Sequence, residues 1–199
     1  MRSANVVWHE GAVSRDSRWR SLRRTGATIW LTGLPAAGKS TLADALERAL
    51  LERGRATYRL DATAMRGGVC ADLGYTAPER RENNRRMGEL ARLFADAGTI
   101  AIVAAVSPFA AGREAARELH ERDGLPFVEV WVNTPQSMCA ARDPYGVYRA
   151  VADHELRDVP GLDLPYEPPT AAEVEITPAQ STAQAVEAVS AVLTRLTAA

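Results

Sequence analysis

The run Gly33-Leu34-Pro35-Ala36-Ala37-Gly38-Lys39-Ser40-Thr41 carries the spacing G-x-x-x-x-G-K-S/T, which sets two glycines, a lysine and a hydroxyl where a phosphate-cradling loop needs them. Backbone N–H groups of 34–40 are expected to turn inward onto an oxyanion, backed by the positive end of the helix that Lys39 opens. Glycines at 33 and 38 permit the tight path and the close approach. Lys39 is expected to bridge the β and γ phosphates of ATP and to act in catalysis, with the Ser40 hydroxyl on Mg²⁺. Composition singles out the same residue. The chain holds 23 arginines and one lysine, and that lysine is Lys39. Arginine serves wherever positive charge is enough, whereas a compact ammonium fits between phosphate oxygens in a closed loop. From this chain's residue frequencies the pattern arises by accident in roughly one such sequence in 2,000.

A second candidate is Asp61, at the tip of a strand expected over 56–60 and placed to act through the metal or on an acceptor hydroxyl. Its plainer reading is a strand-end turn residue. A guanine-reading N-K-x-D is ruled out because the chain has no second lysine. Motor and helicase ATPases run longer and carry an apolar stretch ending in Asp-Glu. Size, a long irregular late segment and several arginines favour a small-molecule kinase.

The elements needed to position these groups follow from periodicity. Residues 27–32 read as a buried strand running into the loop, and 39–53 as a helix with Leu42, Leu46, Ala49 and Leu50 on one face. A long helix is expected from Pro78 to Ala97. Residues 99–106 are apolar throughout, as in a central parallel strand covered on both faces. A helix over 110–122, a strand over 127–132, a helix from near Pro135, a short strand near 173–176 and a helix over 181–196 complete the order. Alternating strands and helices predict an α/β fold with a parallel sheet, helices on both faces and right-handed crossovers. Ligands bind such sheets at the carboxyl ends of strands, where Gly33, Asp61 and Ser107 all fall. Residues 142–170 hold five prolines and two glycines with no clear period, which reads as a mobile lid.

The 199 residues suit a single domain, with 1–26 as an N-terminal extension. A net charge of −1 gives no case for a nucleic-acid or membrane partner. With no apolar signal core, the expectation is a cytoplasmic protein. Cys70 and Cys139 form no C-x-x-C, and His9, His120 and His154 are scattered, which argues against structural zinc. The cysteines are compatible with free thiols or a disulfide, and a reducing compartment favours thiols.

The sequence resembles the adenylylsulfate kinases. The likeness runs from Asn5-Val6-Val7-Trp8-His9 through 30–41 (WLTGLPAAGKST) and 72–86 (DLGYTAPERRENNRR) into 93–98 (LFADAG), and on to 165–168 (PYEP). Ser107-Pro108, Arg113, Cys139 and Arg142-Asp143 also match. The resemblance implies the P-loop kinase fold, ATP with Mg²⁺, a mobile lid, commonly a homodimer, and transfer of the γ-phosphate to the ribose 3′-hydroxyl of a small-molecule nucleotide. It implies a phosphosulfate clamp at Arg66, Arg80 and Asn83, a chemistry that two guanidinium forks and an amide suit. It also implies donor contacts from Arg142 and acceptor contacts from Tyr75, Val106, Ser107, Tyr148 and Val159, with metal held by Ser40 and Asp61.

The chain departs from the family pattern at chosen places. L-D-G-D-N reads Leu60-Asp61-Ala62-Thr63-Ala64, so the second carboxylate is replaced by Thr63. F-I-S-P-Y reads Ala105-Val106-Ser107-Pro108-Phe109. The lysines of K-G-L-Y-K-K-A-R are gone from Tyr145-Gly146-Val147-Tyr148-Arg149-Ala150-Val151-Ala152. F-T-G-I-D reads Val159-Pro160-Gly161-Leu162-Asp163, so one of two aromatics sandwiching the acceptor adenine is lost, at roughly 1–3 kcal/mol. These changes lie on the acceptor side, and the expectation leans to a diverged member acting on a modified 5′-nucleotide. The alternatives are a genuine adenylylsulfate kinase and a nucleotide-binding protein without catalysis.

Overall fold

The computed structural model describes residues 11–197. Its elements are α1 (Arg15–Leu22), β1 (Ala27–Thr32), α2 (Lys39–Glu52), β2 (Thr57–Asp61), α3 (Ala62–Met65), α4 (Ala77–Asp96), β3 (Ile100–Ala104), α5 (Ala110–Arg122), β4 (Phe127–Val132), α6 (Gln136–Arg142), α7 (Val147–Ala152), β5 (Val174–Ile176) and α8 (Thr182–Thr197). The strands form one parallel sheet in the order β2-β3-β1-β4-β5. Every residue of β1 and β3 is buried, as their unbroken apolar runs require of central strands.

Side chains alternate across β1 and fill both layers. Ile29 and Leu31 pack with Leu42, Leu46 and Leu50 of α2 and Val189 and Leu193 of α8. Trp30 points the other way, into Met87 and Ala91 of α4 and Ala116 of α5. One polar group in this core is settled locally: His120 Nδ1 donates to Ala116 O at 2.7 Å, which leaves Nε2 to accept from the Thr28 hydroxyl at 2.8 Å. Both cysteines are buried and free. Among the described residues, no helix is long and apolar enough to cross a membrane.

Three differences from the expected elements have physical causes. β3 stops at Ala104 because the chain then turns toward Ser107, whose φ of 44° lies in the left-handed region. Helix α1 buries none of its residues, so it has no apolar stripe to read. Its hold is polar: Trp19 Nε1 donates to Asp96 O at 3.0 Å and Arg18 pairs with the Asp96 carboxylate at 2.7 Å. Within the segment expected to be irregular, α7 forms one short helix. The Asn5-to-His9 stretch lies outside the described residues.

Candidate active site

The sheet register brings the chemistry to one edge. Asp61 pairs with Ala104 and Leu31 with Ala104, so β2, β3 and β1 end side by side. From β1 the chain enters the loop through Gly33, where an added Cβ would meet Val132 O at 2.6 Å. Only glycine fits that approach to β4. Lys39 follows as the first residue of α2 and is 9% exposed. Its ammonium donates to Gly33 O at 3.0 Å and Leu34 O at 2.7 Å, folded over its own loop. Burial pushes Lys39 down to about 8, against smaller upward pulls from Cys139 and Asp61.

Ser40 Oγ donates to Asp61 Oδ2 at 2.9 Å, while Asp61 Oδ1 accepts from Thr63 N at 2.9 Å. Asp61 therefore caps α3 and at the same time faces the loop through the Ser40 hydroxyl. A hydroxyl and a carboxylate oxygen meeting beside a phosphate loop are the hard oxygen donors that Mg²⁺ takes, so the residues present fit that ion. Beyond the loop, a cavity of about 540 Å³ is lined by Gly38, Thr41, Thr134, Arg142, Thr177 and Gln180, among others. Arg142 Nη1 lies 3.4 Å from Ala37 O, against the phosphate loop.

A second cluster forms around Tyr75, where Arg66 and Arg80 lie over the ring at 4.1 and 5.2 Å. Arg66 Nη1 donates to Leu73 O at 2.8 Å and Arg80 Nη2 to Asp158 O at 2.7 Å, which brings Val159 alongside. Arg80 Nε and Asn83 Nδ2, one turn apart on α4, are buried donors with no partner among the described residues. Burial, helped by the neighbouring Arg66, pulls the Arg80 guanidinium below its ordinary range. Two orphaned donors beside a second guanidinium suit an anion.

Other expected contacts fall elsewhere. Tyr148 sits on α7 with its hydroxyl donating to Pro35 O at 3.0 Å, on the phosphate loop and not beside the arginine cluster. Ser107 is 2% exposed, with its hydroxyl taken between Trp30 Nε1 at 3.1 Å and Asn84 Oδ1 at 3.4 Å. Val106 is placed by its carbonyl, which accepts from the Thr32 hydroxyl at 2.8 Å. Val159 is 3% exposed, with its N–H bound to the Asp163 carboxylate at 2.6 Å, so it fills the base of its loop. Sequence reasoning missed the wall formed by Thr177, Pro178 and Gln180. The signal was available: these residues follow a strand's carboxyl end.

The parallel sheet, the lysine-bearing loop after β1, and the hydroxyl and carboxylate beside it define a P-loop phosphotransferase. A family model described as adenylylsulphate kinase matches residues 25–177. The adenylyl-sulfate kinase of Clostridium acetobutylicum is 44% identical over 175 residues, 88% of this chain and 86% of that one. That of Aeromonas salmonicida is 46% identical over 173 residues, 87% of each. The Mycobacterium tuberculosis APS kinase CysC, solved in complex with AMPPNP and APS, superposes with a TM-score of 0.83 at 39% identity, covering 85% of this chain and 98% of that one. The chain belongs to the adenylylsulfate kinase family.

Proposed function

We propose that the chain transfers the γ-phosphate of ATP to the ribose 3′-hydroxyl of adenylylsulfate. The observation that carries this reading is the pair of buried donors Arg80 Nε and Asn83 Nδ2, without a partner among the described residues, beside Arg66. A phosphosulfate is an anion that would satisfy them. Lys39 and the loop N–H groups would hold the donor phosphates, and Ser40 and Asp61 would hold Mg²⁺. Bound there, the ion would neutralise charge on the β and γ oxygens during transfer. Asp61 is also the carboxylate nearest to hand for orienting the acceptor hydroxyl.

The leaning toward a modified nucleotide is given up. It rested on the departures over 60–64, 105–109, 145–152 and 159–163, and the match to the adenylylsulphate kinase model over residues 25–177 spans all four of them. Relatives named adenylyl-sulfate kinases, 44% and 46% identical over nearly nine-tenths of the chain, favour the sulfated acceptor. The segment 142–170 serves as the lid of a single domain. Pairing with a second copy rests on the resemblance. A relative from Thiobacillus denitrificans, 30% identical, is a hexamer in which this chain matches 29% of the polypeptide, so light scattering is the measurement for assembly.

The deciding assay offers ATP and Mg²⁺ with adenylylsulfate or with a panel of purine and pyrimidine 5′-nucleotides. Turnover should require adenylylsulfate. Turnover of another nucleotide in preference to it would restore the diverged reading, and ATP binding with no turnover on any acceptor would favour a protein without catalysis.

A further inference from the structure

Among the described residues Tyr145 has the highest exposure of the large apolar and aromatic side chains at the surface, at 90%, yet it lines the cavity that opens from the phosphate loop. An aromatic ring left in water at the mouth of a nucleotide cleft is unusual enough to need a reason. Its backbone supplies one. Gly146 N donates to Asp143 O at 3.1 Å, closing a four-residue turn over Asp143-Pro144-Tyr145-Gly146. Proline suits the second position of such a turn, and Gly146 takes φ 67° at the fourth. Tyr145 is therefore the exposed corner of a fixed turn.

Both flanks of that turn are tied to the donor loop. On the N-terminal side Arg142 reaches Ala37 O at 3.4 Å. On the C-terminal side Asp143 Oδ2 accepts from Arg149 N at 3.1 Å, and Tyr148 one turn along α7 donates to Pro35 O at 3.0 Å. The corner is held at a set place relative to the phosphates, although the ring itself is free. Opposite stand Thr177, Pro178 and Gln180; Gln180 Oε1 accepts from Thr177 N at 2.8 Å, which fixes the amide and leaves its NH₂ as a donor. Among the residues lining this space Tyr145 is the one aromatic, so its ring is the flat apolar face available to cover a base.

We propose that Tyr145 supplies that cover: its ring stacks on the base of the bound donor nucleotide and makes affinity depend on the base as well as the phosphates. This rests on the ATP half of the function proposed above and is independent of which acceptor is used. Stacking needs the ring and not the hydroxyl, so phenylalanine should replace tyrosine and alanine should not.

The test is calorimetric titration of wild type, Tyr145→Phe and Tyr145→Ala with ADP and, separately, with inorganic tripolyphosphate, which has no base. Tyr145→Ala should weaken ADP by about five- to 150-fold, the range of a lost base–aromatic stack, and leave tripolyphosphate unchanged. Tyr145→Phe should match wild type on both. Because the ring is exposed, the melting temperature of the free variants should not move. Unchanged ADP affinity in Tyr145→Ala would overturn the inference, as would an equal loss on tripolyphosphate or a change confined to the acceptor's KM. Absence of ADP binding in the wild type would remove the donor reading itself, which separates the two failures.

Discussion

At the scale of single residues, the chemistry of this chain is concentrated in Lys39. Its ammonium is buried against two loop carbonyls and held down to about 8. Incoming phosphates would favour the charged form and raise it again. Nucleotide binding should therefore take up a proton above pH 8 and release none below it. Affinity for ADP should be flat well below about pH 8 and fall as pH rises through it, approaching tenfold per unit. Calorimetry between pH 7 and 10 checks this, and a flat profile would show the lysine stays charged when free. Lys39→Ala should lower kcat by at least about 100-fold, as loss of a group stabilising the transferring phosphoryl does. Lys39→Arg should do nearly as badly, because a planar fork does not fit the space between Gly33 O and Leu34 O; steady-state rates near wild type would refute that geometry. Lys39 and Ser40 could be placed from the sequence because a loop motif fixes where its side chains point, and Asp61 because it ends a strand beside that loop. Tyr148 and Ser107 could not, since residue type gives no direction. The first turned to the phosphate loop and the second into the core between Trp30 and Asn84.

Among the elements, those with an apolar face announced themselves and those without one did not. The bounds expected for β1, β4 and α5 are those observed, because buried strands and a one-sided helix leave strong periods. Helix α1 escaped detection because it is held by Asp96 and not by burial, and α7 because six residues carry too little pattern. Also invisible was the tie that positions the loop after β3. Arg113, 4% exposed, donates to Glu129 Oε1 at 2.7 Å, to Ser107 O at 2.7 Å and to Glu167 O at 2.8 Å. One guanidinium thereby joins α5, β4, the Ser107-Pro108 turn and the 165–168 stretch. Glu129→Leu leaves that charge buried without its carboxylate and should cost about 3–5 kcal/mol in urea denaturation. A loss below about 1 kcal/mol would mean that solvent, or the carbonyls of Ser107 and Glu167 that Arg113 already meets, satisfy the guanidinium without the carboxylate.

Across the whole molecule, one stretch of chain touches both halves of the proposed site. Its first part meets the phosphate loop through Arg142 at Ala37 O and Tyr148 at Pro35 O. Its second part meets the acceptor side: Asp158 O accepts from Arg80, and Glu167 caps α5 through Ala110 N at 2.6 Å. Gly161 lies against Leu34, closing the circuit back to the loop. A segment with bonds to both sites cannot settle on one without biasing the other, so donor and acceptor should bind with coupled affinities. Coupling is reciprocal by thermodynamic necessity: a non-hydrolysable ATP analogue should tighten adenylylsulfate by the same factor that adenylylsulfate tightens the analogue. A factor of about five or more is expected for a shared ordering element. Tyr148→Phe removes the bond to Pro35 O without removing the ring, and should reduce the factor while leaving each ligand's own affinity nearly unchanged. Paired titrations measure all four quantities. A coupling factor of one in the wild type would show that 142–170 closes over each site independently, and would confine the lid's role to excluding water.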